Sequence, residues 1–286
     1  MSVTGLKKIA DYLRMIKFSH SIFALPFAFT GAILAAKGIP EYSVIGWIIV
    51  AMVGARSGAM GLNRLIDCRI DAQNPRTAQR ELPKGVLKHT EVILFTVIAF
   101  GVFLFAAYKL NPLCFKLSPL ALAVFSLYSY TKRFTWLSHM VLGIALALAP
   151  LGAWIAVTGT FDAAILPLSL AVVCWVAGFD IFYAFQDLDF DKRYGLYSIP
   201  ANFGIKTSMW VARFLHIITI LLLLSLAPLF NMSILYLTGV LIAAAMLFYE
   251  HTLVKEHDLS KINMAFFNMN GYISITVFVF TLLSYL

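Results

Sequence analysis

The chain has 286 residues, 61% of them hydrophobic and only 13% charged, with a mean hydropathy of +0.86, whereas an ordinary soluble domain is about half apolar and about a quarter charged. A globule of this size has too little interior to hide so many apolar side chains. Soluble, disordered, collagen-like and disulfide-scaffold classes are therefore excluded, and the composition predicts an all-α polytopic membrane protein whose solvent is the lipid bilayer. A net charge of +8 would suit nucleic acid, but the distribution of the charge predicts no such partner.

Residues 1–17 open the chain, and the stretch 4–16, TGLKKIADYLRMI, sets apolar residues at helical spacing with Lys and Arg between them. It reads as an amphipathic segment in the membrane interface, an anchor at most. Basic residues before an apolar run also begin a signal peptide, but eight more apolar runs follow, so the first is a retained span. Windows of about 20 mostly apolar residues, the length a membrane helix needs, fall at 18–37, 42–66, 91–109, 113–130, 136–157, 163–185, 208–228, 233–253 and 264–285. The expectation is a nine-helix transmembrane bundle forming a single domain, 1–286.

If the N-terminus is cytoplasmic, eighteen of the 22 basic residues fall in inside segments, and Lys37, Lys109 and Lys116 fall outside. The positive-inside bias then places the N-terminus in the cytoplasm and the C-terminus outside, as in a bacterial plasma-membrane protein. The remaining basic residue, Arg56, sits near the middle of the second span, where a charge is costly and by default marks function. The alternative is a structural pair with a buried carboxylate. Cys68, Cys114 and Cys174 are too widely spaced for a metal or redox motif and read as packing residues.

The carboxylates are concentrated. Asp67 and Asp71 follow the second span, and Asp180, Asp187, Asp189 and Asp191 close the sixth. Each place contains D-x-x-x-D, the two copies lie 120 residues apart, and both face the cytoplasm in the assigned orientation, which suggests an internal repeat of about four helices. At i, i+4 spacing each pair projects from one helix face, with Asn63 one turn back on the first stripe. Facing carboxylate pairs repel unless a cation lies between them, and hard oxygen ligands of this kind suit Mg²⁺. Arg69, Arg76, Arg80 and Lys84 after the first motif, Lys192 and Arg193 after the second, and Lys132 and Arg133 in the intervening loop supply what a phosphate wants. Asp189 leaves the Asp187/Asp191 face in a helix and joins it in an extended segment. The competing reading of all these residues is ordinary solvated loops flanking a membrane.

N-R-L-I-D-C-R-I-D, Asn63 to Asp71, with the following N-P-R-T-A-Q-R-E-L-P-K-G, resembles the first aspartate-rich motif of the UbiA superfamily of intramembrane prenyltransferases. D-I-F-Y-A-F-Q-D-L-D-F-D-K-R, Asp180 to Arg193, resembles its second motif with Tyr183 at the tyrosine position, and Y-T-K-R-F-T, Tyr130 to Thr135, resembles the loop between the fourth and fifth helices. Two residues depart from the pattern: Arg64 stands where many members have Asp, and Glu81 where many have Pro. With the opening I-K-F-S-H-S-I-F-A-L-P, they look more like the polyprenyltransferases of the futalosine route to menaquinone than like the proteobacterial ubiquinone enzymes.

The resemblance implies transfer of a prenyl group from a polyprenyl diphosphate to an aromatic acid acceptor, 4-hydroxybenzoate or a dihydroxynaphthoate, in respiratory quinone synthesis. It also implies Asp67, Asp71, Asp187 and Asp191 as the ligands of about two Mg²⁺ ions, with Asn63, Arg76, Arg80, Lys132 and Lys192 around the diphosphate. Arg56 or Arg133 would pair with the acceptor carboxylate, Tyr130 and Tyr183 would face the allylic cation, and His20 would touch the acceptor. Haem or chlorophyll prenylation are alternatives within the family. A cation transporter would carry its carboxylates near the midplane, and a CDP-alcohol phosphotransferase would carry a D-G-x-x-A-R run that this sequence lacks.

Overall fold

The computed structural model describes residues 3–17, 24–256, 258–262 and 264–286; His20 lies outside the described residues. The described chain is helical, without a β-strand beyond one isolated bridge between Lys255 and Asp258. In chain order the helices are α1 (Val3–Met15), α2 (Leu25–Ala36), α3 (Tyr42–Gln73), α4 (His89–Leu110), α5 (Pro112–Thr131), α6 (Ser138–Thr158), α7 (Leu166–Ala184), α8 (Leu188–Tyr194), α9 (Ile199–Phe230), α10 (Ile234–Leu253) and α11 (Asn270–Leu283). Seven helical segments are long and apolar enough to cross a membrane, and they coincide with seven of the expected windows. The first and last windows hold the shorter apolar helices α2 and α11, the latter preceded by a π-helical turn, Met264–Met269.

Local chemistry sets several boundaries. Asn111 alone joins α4 to α5: its side chain accepts the Cys114 N–H at 2.9 Å, and Pro112 occupies the first helical turn, where a missing N–H costs nothing. Gly195 (φ 66°) ends α8 in the left-handed conformation that a Cβ disfavours, and the chain turns there toward α9. Ser198 caps α9 by accepting the Ala201 N–H at 3.2 Å.

Helices pack through small residues, as expected where lipid removes the hydrophobic drive between helices. Gly54, Gly58 and Gly61 form one face of α3, against Ala99, Phe100 and Thr96 of α4. Gly31 of α2 lies against the Pro150 backbone of α6. The larger core gathers Phe27, Trp175 and Phe179 between α2 and α7. The outer surface is apolar instead of charged, with Leu94, Val97, Phe214, Leu221, Leu241 and Phe248 all exposed. That inverted pattern belongs to a protein dissolved in lipid.

The amphipathic helix α1 is more than an anchor. Tyr12 stacks on Phe95 of α4 with ring centroids 5.0 Å apart, Lys8 pairs with Glu91 at 2.5 Å, and Met15 and Ile16 are buried with Leu82, Leu87 and Val92. Arg64, the departure from the family pattern, is buried and donates from Nε to the Met15 carbonyl at 3.2 Å, fastening the end of α1 to α3. The two aspartate motifs also differ in build. Asp67 and Asp71 ride on the unbroken α3, whereas the second motif crosses a break: α7 ends at Ala184, Phe185–Asp187 forms a 3₁₀ turn, and α8 carries Asp191. The expected equivalence of the two motifs as repeats on single helix faces therefore does not hold.

Candidate active site

The C-terminal ends of α3, α5 and α7, the N-terminal ends of α6 and α9, and the segment after α3 meet at one end of the bundle around a cavity of about 190 Å³. Asn63, Asp67, Asp71, Asp187 and Asp191 line it with Arg76, Arg80, Lys132 and Tyr183. Carboxylates remote in sequence are thus brought to one solvent-facing pocket above an apolar bundle.

Basic side chains lie between the facing carboxylates. Asp67 is buried and accepts Lys132 Nζ at 2.6 Å, Arg133 Nη2 at 2.9 Å and Asn63 Nδ2 at 3.1 Å. Asp71 accepts Arg80 Nη1 at 2.7 Å. Asp187 is held in bidentate fashion by one edge of the Arg76 guanidinium, Nε at 2.8 Å from Oδ1 and Nη2 on Oδ2, and by Asn74 Nδ2 at 2.8 Å. Arg76 also donates to the Tyr183 hydroxyl at 2.8 Å. The Asp191 carboxylate accepts the Ser198 hydroxyl at 3.2 Å and, among the described residues, no other side chain. Among the described residues no three of His, Cys, Asp and Glu gather closely enough to hold a metal ion as they stand. The donor set nonetheless fits Mg²⁺: the carboxylates are hard oxygen ligands on two walls of one cavity, and this ion takes few protein ligands and keeps its waters.

Several expected site residues lie elsewhere. Lys192, Arg193, Arg69, Lys84 and Asp189 are exposed and outside the cavity, because α8 is helical and turns Asp189 and the basic pair away from Asp191. Tyr130 is 48% exposed beside Arg133, at the surface and not in the pocket. Arg133 is occupied by Asp67 and by the Ile66 and Ser129 carbonyls. Arg56 is part-buried on α3; its Nη2 donates to the Lys17 carbonyl at 3.4 Å, and among the described residues its Nε has no hydrogen-bond partner. No buried carboxylate pairs with it among the described residues.

Other residues were missed by sequence reasoning. Asn74 orients both Arg76, whose N–H it accepts at 3.0 Å, and Asp187. His139, one of the five histidines other than His20 that carry no distinguishing pattern, bonds Asp180 at 2.7 Å inside the cavity, which Tyr128 also lines. Lys17, at the end of α1, reaches the Tyr183 hydroxyl at 3.5 Å, and burial pushes its ammonium below the usual lysine range.

A family model described as the UbiA prenyltransferase family matches residues 24–272. The 4-hydroxybenzoate octaprenyltransferase of Vibrio atlanticus (strain LGP32) is 30% identical over 246 residues, 86% of each chain. Among solved structures, the apo UbiA homolog from Aeropyrum pernix K1 matches with a TM-score of 0.85 at 29% identity, covering 93% of this chain and 98% of that one. A UbiA homolog from Archaeoglobus fulgidus, solved bound to DMAPP and Mg²⁺, shares the fold at 19% identity, with a TM-score of 0.67 and coverage of 93% and 99%. With a cavity ringed by acid–base pairs at one end of an integral membrane bundle, and a family match spanning most of its length, the chain belongs to the UbiA prenyltransferase family.

Proposed function

We propose that the protein transfers a polyprenyl group from an isoprenoid diphosphate to the ring of an aromatic carboxylate, with Mg²⁺, in quinone biosynthesis. The observation that carries this reading is the convergence of Asp67, Asp71, Asp187 and Asp191 with Arg76, Arg80 and Lys132 on one cavity above an apolar bundle. The four aspartates would hold the metal, which would supply charge neutralisation for the departing diphosphate, with Asn63 beside them in the diphosphate cradle. Arg76, Arg80 and Lys132 hold diphosphate oxygens as fixed positive charges. The apolar interior keeps water from the allylic cation, and the Tyr183 ring, already 5.0 Å from the Arg76 guanidinium, offers its face to positive charge.

Arg56 pairs with the acceptor's carboxylate. Among the described residues its guanidinium holds one long hydrogen bond, to the Lys17 carbonyl, and no partner for Nε, an arrangement that a planar bidentate anion would complete. The name of the Vibrio relative supports 4-hydroxybenzoate, and the residue pattern resembling the futalosine branch supports a dihydroxynaphthoate. The seven long helices with α2 and the α11 segment make a nine-helix arrangement in a bacterial plasma membrane, as one domain, with the site and the N-terminus cytoplasmic and the C-terminus outside. The excess of Lys and Arg in the segments on that side, eighteen against three, supports that sidedness.

The test is incubation of purified protein with Mg²⁺, a labelled polyprenyl diphosphate and both acceptors, with the lipid-soluble product resolved by chromatography. Transfer should vanish on chelation and in Asp67→Asn and Asp191→Asn. Wild-type activity of Asp191→Asn at saturating Mg²⁺ would sink the metal assignment.

A further inference from the structure

Five aspartates line the cavity, and one has a different kind of partner. Asp67, Asp71 and Asp187 each engage a lysine or arginine, and Asp191 stands beside Asp187 with the Ser198 hydroxyl. Asp180 pairs with no lysine or arginine among the described residues; its partner is His139, at 2.7 Å between Nδ1 and Oδ2. The tautomer follows from the other ring nitrogen. The Ile199 N–H donates to His139 Nε2 at 3.3 Å, so Nε2 is the acceptor and Nδ1 carries the proton donated to Asp180. The imidazole is 3% exposed and locked between α7 and the start of α9, while Asp180 is 20% exposed and faces the cavity. Among the described residues Asp180 Oδ1 takes no hydrogen bond. The arrangement leaves a carboxylate whose charge no cation neutralises, oriented through one oxygen and open to the cavity through the other.

Its depth is also informative. Asp180 lies four residues before the end of α7 at Ala184, and Asp187 follows on the 3₁₀ turn, so at about 1.5 Å per residue Asp180 sits about 6 Å down α7 from the break that carries Asp187. The charged groups proposed to hold diphosphate ring the mouth, so Asp180 lies on the side where the tail and the ring must meet. The proposed function, on which this step rests, requires a base there. Once the ring carbon has bonded to the prenyl carbon, and the bond to diphosphate oxygen has broken with its electron pair, that ring carbon still carries its hydrogen and the ring is cationic. Aromaticity returns only when the C–H bond breaks, its electron pair entering the ring and its proton leaving. A cavity that protects an allylic cation from water cannot rely on water to take that proton.

We propose that Asp180 is the catalytic base that takes this proton, and that His139 is its positioning residue, donating from Nδ1 to the carboxylate. Oδ1 accepts the ring proton, and the protonated Asp180 later releases it through the mouth of the cavity. Atoms and charge balance without a further reactant: prenyl diphosphate and acceptor give prenylated acceptor, diphosphate and one proton.

The competing role is a tether joining α6, α7 and α9, and a hydrogen-isotope experiment separates the two. Transfer is measured with an acceptor deuterated at the ring position that is substituted, and with its protiated form. Asp180→Asn should slow transfer on the order of 10²-fold with unchanged binding of prenyl diphosphate, and should show a primary isotope effect larger than that of the wild type, because proton removal has become limiting. His139→Leu should show the same effect to a lesser degree, and His139→Asn, whose amide can replace the Nδ1–H, should suppress it. Near-wild-type turnover by Asp180→Asn, or slow turnover with the wild-type isotope effect, would overturn the assignment. If Asp180→Asn does not fold, the two His139 variants decide it by the same isotope comparison. Failure of the wild type to prenylate any aromatic acid would refute the proposed function itself.

Discussion

Arg76→Met tests whether the basic side chains that hold the carboxylates compete with a metal for them. Arg76 grips Asp187 through Nε and Nη2 and Tyr183 through Nη1, with side-chain exposures of 27% for Arg76 and 18% for Asp187. Burial works against its charge, yet the Asp187 carboxylate and the Tyr183 hydroxyl hold the guanidinium above its ordinary pKa. A hydrogen bond to a charged group contributes about 1.5–3 kcal/mol, and partial exposure places this pair toward the low end, about 1.5 kcal/mol. That is roughly tenfold in an equilibrium constant. Mg²⁺ arriving at Asp187 alone must break the pair, so Arg76→Met should bind Mg²⁺ roughly tenfold more tightly in calorimetry without diphosphate. The same variant, titrated with an unreactive prenyl thiolodiphosphate at saturating Mg²⁺, should bind it more weakly, having lost a diphosphate contact. Adding Asp187→Asn should erase the gain for Mg²⁺. Unchanged or weaker Mg²⁺ binding by Arg76→Met would refute competition for Asp187.

Arg56→Ala should raise the KM for the aromatic acid and leave the affinity for prenyl diphosphate unchanged; the reverse result would move Arg56 into the diphosphate cradle. Gly31→Ala places a Cβ 2.4 Å from the Pro150 carbonyl oxygen, on backbone that cannot yield. It should cost about 1–3 kcal/mol, read as a lower thermal midpoint in detergent, while Gly46→Ala, at an open position, should not. In intact cells whose native cysteines have been removed, a membrane-impermeant thiol reagent should label a cysteine placed at Gly159 and fail to label one at Gln73 or Gly195; labelling of only one of the latter pair would separate the two motifs across the membrane.

Some of this was legible in the sequence because it is local. Apolar windows found the long helices, since lipid exposure rewards continuous hydrophobicity whatever the tertiary partners. The aspartate motifs marked the cavity because short polar runs at the ends of apolar spans have few alternatives. What was missed is non-local. Lys132 reaches Asp67 across 65 positions and Arg76 reaches Asp187 across 111, so ion pairing cannot be read from spacing. His139 carries no pattern of its own and gains meaning only from Asp180, 41 positions away. The break at Phe185–Asp187 escaped because all three residues tolerate a helix; its effect was to turn Lys192 and Asp189 outward. Arg64 read only as a departure from the family pattern, whereas it fastens the end of α1 to α3.

The ion pairs also bear on the order in which the site fills. Asp67, Asp71, Asp187, Asp180 and Asp191 are balanced, within one charge, by Arg76, Arg80, Lys132 and Arg133. A nearly neutral cluster has little net attraction for Mg²⁺ alone, which must displace basic partners, or for a diphosphate alone, which meets carboxylates that already hold those bases. Arriving together, the two let every charge re-pair: carboxylates turn to the metal and the freed guanidinium and ammonium groups turn to phosphate oxygens. Mg²⁺ and prenyl diphosphate should therefore bind with positive coupling, and linkage requires each to raise the other's affinity by the same factor. The measurement is a pair of titrations of Asp180→Asn, which is expected to keep binding while turning over slowly: Mg²⁺ with and without prenyl thiolodiphosphate, and the analogue with and without Mg²⁺. Additive, uncoupled binding would mean that the basic residues keep their carboxylate partners when substrate binds, and that the diphosphate cradle lies elsewhere.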